Sequence, residues 1–560
     1  MNKCPKCGKE ELRDQFACTE ESCPLDPGGS ETTPVEAYPG PDDMLPEPEE
    51  NAPEDLFAEP VKLPKQIRLS SGKMITLNSQ QEEALELIYQ WQDDRTDLFF
   101  VLSGYAGTGK TTIVKEALRR WANRSPYGSS STGVTAPTHK AKKVIADATG
   151  LQAATIQSLL GLQPNVDLAD FNINKPEFAM KKKPQIEYFK MIVLDEGSML
   201  NKDLWKMLKE QANRYNVKLI VMLDEAQLPP VKEDLSAVLV DEDIRYKYQL
   251  TKVERQAGDN PLMGLYDLIR SDVTSRTDKY HKETNLIPSA HAIADILSLP
   301  HVGYIFTPDL MQFGRAVVDA FRSEQFRLDK NYCKVLCWTN QRVQFWNASV
   351  RKTLLSDLAK KNIPAEQMLH AQTIMPDELL MGYKSYIDGI ENSGEYEVIE
   401  LQYSSKVLTH TSTSKDGQKK TTIEREVRGY RVALQDVDQG TILNAFILDP
   451  DSEEEKKFTT IFNSYLFAAK AHKAWPAYFN FKAETLLMRA IRDNTGSLIC
   501  DKDLDYAYAL SVHKSQGSTY DQIFVDEANI NLNKIHTERN KLKYVAFSRP
   551  RYLATILTGA

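Results

Sequence analysis

The chain has 560 residues, 26% charged and 41% apolar or aromatic, the mix of a globular protein with several domains. No run of about 18 apolar residues is present, so no membrane-spanning helix is expected. No apolar stretch follows Met1 either, so no secretory leader is expected, and the reducing cytoplasm is the expected setting. The net charge of −9 misleads when taken whole. Eleven Asp and Glu and no Lys or Arg fall between Pro24 and Val61, which leaves 69 basic and 67 acidic residues elsewhere. A nearly neutral body is compatible with nucleic-acid binding and does not require it.

In chain order, residues 1–23 hold four of the seven cysteines, Cys4, Cys7, Cys18 and Cys23. A Cys-x-x-Cys turn followed by Gly8 aims two thiolates at one ion, and Cys18 and Cys23 supply a looser second pair. This segment is expected to be a zinc-binding module with a tetrahedral Zn2+. Residues 24–64 combine the acidic excess with ten prolines and few apolar side chains, and are expected to be a disordered, extended linker. Cys333, Cys337 and Cys500 lie among apolar neighbours and read as core.

From residue 65 onward strands and helices alternate. Ser79 and Glu82 have capping-box spacing ahead of a helix that turns Ala84, Leu87, Ile88 and Trp91 inward. Asp97–Ser103 is a short apolar strand and Lys110–Arg124 an amphipathic helix. Met191–Leu194 and Lys218–Leu223 are apolar strands, each followed by an acidic residue, and Lys334–Trp338 and Ile523–Val525 repeat the pattern. Such alternation implies an α/β fold whose parallel sheets are covered on both faces, with ligands at the C-terminal ends of the strands. Residues 396–500 differ. Tyr396 and Val398, then Tyr430, Val432 and Leu434, alternate with period two, and a helical run follows through Phe458, Ile461, Phe462 and Tyr465. This predicts a small β-rich insertion with a barrel-like part. Its basic stretch, with Lys415, Lys419, Lys420, Arg425, Arg428 and Arg431, reads either as a solvated hairpin or as a phosphate contact.

Gly104-Tyr105-Ala106-Gly107-Thr108-Gly109-Lys110-Thr111 fits G-x-x-x-x-G-K-[ST] and lies between the strand and the helix that this motif requires. Its glycines let backbone N–H groups face phosphate oxygens at a helix N-terminus, which predicts a nucleotide site. Lys110 is placed for the β- and γ-phosphates and the Thr111 hydroxyl for Mg2+. Asp195-Glu196, at the end of another strand, supplies one carboxylate for a metal and one for the attacking water.

Further segments follow in a characteristic order. They are Gln81 with Ala84, the run Ala136 to Ala141 (APTHKA), Thr155 to Leu160 (TIQSLL), Asp195 to Ser198, and Asp224 to Val231 (DEAQLPPV). Leu250 through Arg255-Gln256, Trp338-Thr339-Asn340, Val512 to Thr519 (VHKSQGST) and Tyr544 to Arg549 (YVAFSR) complete the series. Over about residues 65–558 the chain resembles superfamily 1B DNA helicases of the RecD-like and phage Dda-like branch. Gln157, Gly197, Leu223 and Pro550 depart from that branch's usual residues, and none of them is a reacting group.

The resemblance implies two RecA-like P-loop motor domains facing each other across ATP. They would be 65–256, with a strand-separating pin at about 161–188, and 257–395 joined to 501–560, with 396–500 an SH3-like insertion. It implies catalytic roles for Lys110, Glu196, Gln227, Arg255 and Arg549. ATP would be held by Gln81, Gly104, Ala106, Gly107, Thr108, Gly109, Lys110, Thr111, Thr112, Gln516 and Gly517, and Mg2+ by Thr111 and Asp195. Gln81 would read the adenine through its amide. Single-stranded DNA would meet Pro137, Thr138, His139, Lys140, Thr155, Ser158, Asn340, His513 and Lys514. Phe171 or Phe178 of the pin would stack on a base or belong to the core.

The expected activity is 5′→3′ ATP-driven translocation on single strands with separation of duplex DNA at single-strand/duplex junctions, in replication, recombination or repair. Alternatives are a protein-stripping or fork-remodelling translocase and a recruitment factor using ATP as a switch. A single-strand-binding or replisome protein is the expected partner of the zinc module, and a phage origin would place the protein in the host cytoplasm. The linker's acidity would be repelled by DNA phosphates, and Pro-rich chain extends ~3 Å per residue, so the module would work at a distance from the motor. Deleting residues 1–60 is therefore expected to leave ATPase and short-duplex unwinding intact, measured side by side with the full chain.

Overall fold

The computed structural model describes residues 74–124, 128–164, 178–230, 235–253, 261–277, 302–361, 363–384, 389–413 and 420–559, together with 64, 66–68, 233, 279 and 280. The zinc cysteines, the acidic linker, Phe171, Arg255, Lys415 and Lys419 lie outside the described residues.

The first lobe opens with helix α1 (Ser79–Asp93) and strand β1 (Phe99–Gly104), followed by α2 (Lys110–Arg124), β2 (Thr132–Ala136) and α3 (His139–Thr149). Strands β3 (Ala153–Thr155), β4 (Met191–Leu194), β5 (Lys218–Leu223) and β6 (Tyr246–Leu250) complete a six-stranded sheet of order β6-β1-β5-β4-β2-β3. Every pairing in it is parallel. All residues of β4 and β5 are buried, as continuous apolar strands require when both sheet faces are covered. One face packs Leu102, Val193 and Ile220 with α1 and α2; the other packs Ile192, Leu194 and Val221 around Trp205 and Leu208.

The cap of α1 sits one residue earlier than the spacing suggests. Asn78 rather than Ser79 is the N-cap, accepting from the Gln81 N–H at 3.0 Å, while Gln81 Oε1 accepts from the Asn78 N–H at 3.1 Å. Two capping-box patterns overlap in this sequence, and asparagine's carbonyl takes the cap.

The second lobe begins with helix α4 (Leu262–Ser275), strands β7 (Gly303–Thr307) and β8 (Cys333–Cys337), and helix α5 (Asn340–Ala359). The insertion then contributes β9 (Leu379–Gly382), β10 (Glu395–Thr413), β11 (Lys420–Asp436) and β12 (Ile442–Leu448), helices α6 (Ser452–His472) and α7 (Trp475–Glu484), and β13 (Leu504–Tyr506). The chain returns to the lobe through β14 (Ala509–Ser511), β15 (Tyr520–Val525), α8 (His536–Phe547) and β16 (Pro550–Leu557). The lobe's sheet is again parallel throughout, in the order β7-β16-β15-β8-β14.

The insertion is an antiparallel sheet of order β12-β11-β10-β9-β13. Its outer strands, β12 and β13, do not pair directly but are bridged by Leu486-Leu487: Leu486 donates to the Phe446 carbonyl at 2.8 Å and accepts from the Leu448 N–H at 2.9 Å, and the Leu487 carbonyl accepts from the Asp503 and Leu504 N–H groups at 2.8 and 3.1 Å. Alternation reports that strands are half-buried and carries no information on closure. The sheet also starts earlier and ends later than 396–500, because β9 is buried at all four residues and shows no alternation to read. Helices α6 and α7 cover one face through Phe458, Phe462, Tyr478 and Phe481.

Lobes and insertion are joined by a buried ionic cluster. Lys334 on β8 donates to Glu395 Oε2 at 2.7 Å, and Lys140 at the start of α3 donates to the other carboxylate oxygen. Glu395 and Lys334 have no solvent exposure. Burial opposes ionisation of Glu395, but the two ammonium groups outweigh it and hold the carboxyl down at about 2. A carboxyl depressed in the folded state stabilises above its unfolded value, and this contribution is lost as pH falls from about 4.5 to about 2. Glu395→Gln leaves two buried ammonium groups uncompensated and is expected to cost about 3–5 kcal/mol, read as a lower urea midpoint at neutral pH.

Candidate active site

The nucleotide loop runs from the end of β1 to the start of α2, at the C-terminal edge of the first sheet. Gly107 and Gly109 have φ of 83° and 88°, in the left-handed region. A Cβ on Gly109 would also lie 2.6 Å from Gln81 Nε2, so glycine is required there twice over. Lys110 Nζ donates to the Gly104 and Tyr105 carbonyls at 2.6 and 3.1 Å, which holds its charge over the loop. The Thr108 hydroxyl donates to the Tyr105 carbonyl at 2.9 Å, and Thr111 and Thr112 follow in the first turn of α2. Gln81 is buried, and its amide donates to the Thr108 carbonyl at 3.1 Å while accepting at the α1 cap. One end of that amide thus braces the loop and the other the cap of α1, where the resemblance implies a contact to adenine.

Asp195 and Glu196 follow β4. Glu196 is held at φ 52° and ψ 39°, an uncommon backbone conformation for glutamate. Burial raises Asp195 above the ordinary carboxylate range. Burial also raises Glu196, with the Asp195 charge adding to it, while Arg549 and Lys110 pull the other way. Asp224, just past β5, is raised by burial as well, against Lys110 and a hydrogen bond from Tyr544. Its Oδ1 accepts from the Ala226 N–H at 3.0 Å and its carbonyl from the Gln227 N–H at 3.1 Å, shaping the turn that presents Gln227.

The second lobe faces these groups. Arg549 is 6% exposed and anchored by donation to the Val545 carbonyl at 3.0 Å, the Ser548 hydroxyl at 2.7 Å and the Ser518 carbonyl at 3.2 Å. Gln516 Nε2 lies 3.5 Å from both Gln227 Oε1 and the Leu228 carbonyl, so the two glutamines meet across the cleft. Gly517, at φ 75°, lets the 512–519 loop approach Ala141 of α3.

Three carboxylates, Asp224 buried and Asp195 and Glu196 half-buried, face Lys110 and Arg549, an arrangement that fits Mg2+ together with a nucleotide. Thr111 and Asp195 are the residues that would hold the ion. Among the described residues no group of three His, Cys, Asp or Glu is placed around a metal; Mg2+ commonly completes its shell with phosphates and water instead. When bound, the ion neutralises phosphate charge. In the division of work that the resemblance implies, Lys110 would bind phosphate, Glu196 would orient and activate water, Gln227 would sense the γ-phosphate, and Arg549 would approach it from the second lobe.

The residues expected to line DNA are dispersed. Thr138 caps α3 by accepting from the Ala141 N–H at 3.2 Å, and Thr155 caps the turn Ile156–Leu159 by accepting from the Ser158 N–H at 3.2 Å. Pro137 is half-buried just before this cap. His139 Nδ1 lies 2.6 Å from Glu391, and Lys140 is held by Glu395. Asn340 is exposed at the start of α5 and His513 is half-buried. Lys514 sits 3.4 Å above the Tyr383 ring, and burial, with Lys502 adding, brings it down to about 8. Within the segment expected to be the pin, Leu162–Pro164 and Phe178–Met180 form an antiparallel pair, with Phe178 half-buried. In the insertion, Lys406 pairs with Glu484, Arg428 with Glu454, and Arg431 donates to Ser404. Among the described residues no helix is long and apolar enough to cross a membrane.

Residues 76–289 match the family model of an AAA domain, and residues 506–557 that of a UvrD-like helicase C-terminal domain. The ATP-dependent DNA helicase Dda of Enterobacteria phage T4 is 23% identical over 466 residues, 80% of this chain and 92% of its own. The ATP-dependent RecD2 DNA helicase of Deinococcus radiodurans is 28% identical over 204 residues, 36% of this chain and 26% of its own. These matches support a superfamily 1B helicase of the RecD, Dda and Pif1 type. Among solved structures, that of Pif1 helicase from Candida albicans covers 86% of this chain and 95% of its own, at 16% identity and a TM-score of 0.39. The AAA domain and the helicase relatives indicate an ATP-dependent DNA helicase, a hydrolase.

Tyr544 and Asp224 carry contacts that motif reading does not single out. The available signal is a phenol inside the otherwise apolar run Tyr544-Val545-Ala546-Phe547. Glu196→Gln is expected to bind Mg·ATP with near-normal affinity yet hydrolyse it very slowly, whereas Asp195→Ala loses nucleotide affinity. Equilibrium binding of a fluorescent ATP analogue beside steady-state turnover separates the two roles.

Proposed function

We propose that this helicase translocates 5′→3′ on single-stranded DNA and separates duplex DNA at single-strand/duplex junctions, in replication, recombination or repair. The observation that carries the reading is the meeting of Lys110, Glu196 and Gln227 from one lobe with Gln516 and Arg549 from the other across one cleft. A site divided in this way is completed only when the lobes close, and an arginine supplied across such a cleft is worth roughly 10³–10⁵ in rate. Nucleotide turnover is then tied to lobe movement, which is what a motor needs and a simple nucleotide switch does not.

Arg255 is proposed as a second arginine at the γ-phosphate, on its sequence position. The segments 137–140, 155–158, 340 and 513–514 are proposed as the DNA track. Helix caps and backbone groups there suit phosphates, which carry no sequence information. The segment at about 161–188 is proposed as the separating pin. Cys4, Cys7, Cys18 and Cys23 are proposed as ligands of a structural Zn2+ in a module that recruits a single-strand-binding or replisome protein. Relatives from phage T4 and from a mimivirus support a viral origin and a host-cytoplasm setting.

Strand displacement on otherwise identical duplexes with 5′ or 3′ single-stranded tails tests the reading. Unwinding of the 5′-tailed substrate, ATP-dependent and absent in Lys110→Ala, is the expected result. Preference for the 3′ tail would reverse the polarity. DNA-stimulated turnover without unwinding of either substrate would favour a translocase that strips proteins.

A further inference from the structure

We infer that Tyr544 is a positioning residue that couples closure of the second lobe to the turn presenting Gln227. Its phenol donates to Asp224 Oδ2 at 2.7 Å, accepts from the Ala106 N–H at 3.4 Å, and accepts from the Tyr266 hydroxyl. A phenol has one proton to donate and two lone pairs to accept with, so every hydrogen-bonding position of Tyr544 is used. Two of the three partners belong to the first lobe. Ala106 lies in the nucleotide loop and Asp224 at the end of β5, whereas Tyr544 is on α8 and Tyr266 on α4.

The phenol cannot drift on its own element. Tyr544 has no solvent exposure and Tyr266 is 2% exposed. Their rings stack at 4.8 Å between centroids with 29° between planes. The hydroxyl therefore moves with α8, the helix that leads into Arg549. On the other side, Asp224 has one oxygen on Tyr544 and the other on the Ala226 N–H, and its carbonyl accepts from the Gln227 N–H. Hydrogen bonds between oxygens span about 2.5–3.0 Å between heavy atoms. Opening the lobes by an ångström would release the carboxylate that orients the turn, at the same moment as it withdraws Arg549. Closure then delivers the arginine and the ordered glutamine together.

This inference rests on the ATPase reading above, and Lys110→Ala in the same assay tests that reading separately. Tyr544→Phe removes one oxygen and keeps the ring stack. The expected result is a fall of tenfold or more in kcat of DNA-stimulated ATP hydrolysis. KM for ATP should stay within twofold, and the thermal midpoint should be nearly unchanged. Tyr266→Phe, which leaves the Tyr544–Asp224 bond in place, should lose less. The decisive readout is a double-mutant cycle: if Tyr544 acts through Gln227, adding Tyr544→Phe to Gln227→Ala should change kcat less than twofold. A kcat within twofold of wild type in Tyr544→Phe, or losses that multiply in the cycle, would overturn the coupling. Should Tyr544→Phe not fold, Asp224→Asn places an amide against the phenol, and the same cycle with Gln227→Ala decides the coupling by the same two outcomes.

Discussion

Half-buried Asp195 and Glu196 and buried Asp224 gather at the C-terminal edge of one parallel sheet around Lys110, and the rest of the molecule answers to that arrangement. Burial raises all three carboxyls, because a charged oxygen taken out of water keeps its proton unless positive charge is nearby. The first lobe alone cannot supply enough of it. A metal-bound nucleotide brings some, and Arg549 of the second lobe brings more, so the electrostatic demand of one sheet edge draws the opposite lobe toward it. The strand ends make this possible: β4 and β5 are buried throughout, and their carboxylates appear where the chain leaves the sheet.

The links between the lobes are both apolar and polar: Ala226 and Leu228 of the first lobe pack into the second lobe's core. Gln227 meets Gln516, Tyr544 meets Asp224 and Ala106, and Lys140 meets Glu395 beside Lys334. Parting the lobes would expose that apolar surface at about 25 cal/mol per Å2, whereas the polar groups can exchange their partners for water. The buried Glu395 is the firmest of these links, because its two lysines come from different bodies and neither is easily left without it. It ties α3, at the proposed DNA track, to the second lobe and to the first residue of the long insertion hairpin.

Legibility in the sequence follows the range over which each feature is determined. The nucleotide loop, Asp195-Glu196 and the parallel sheets are readable because a strand, a turn and a helix within a few residues fix them. Arg549 and Gln516 are readable through their motifs. Glu395 is not, since a glutamate at the start of a strand looks solvated until two lysines from distant segments are folded onto it. Tyr544 reads as one aromatic in an apolar helix, because its three partners lie on other elements. The start of the insertion escapes at β9, whose four buried residues show no period, and barrel closure cannot be read from alternation. The cap of α1 moves by one residue because Asn78 and Ser79 both present a capping oxygen.

The proposed DNA track shows why residue type alone decides so little there. Thr138 and Thr155 carry the hydroxyls that would be assigned to phosphates, yet each hydroxyl oxygen already accepts from a backbone N–H at a helix start. A capped helix start still leaves other N–H groups without intrahelical partners, and the dipole of α3, 11 residues long, favours negative charge at that end. Phosphate recognition at such a place would come from the backbone, with the threonines setting its shape. Contacts of that kind are blind to base identity, and a motor that must step along any sequence needs this indifference.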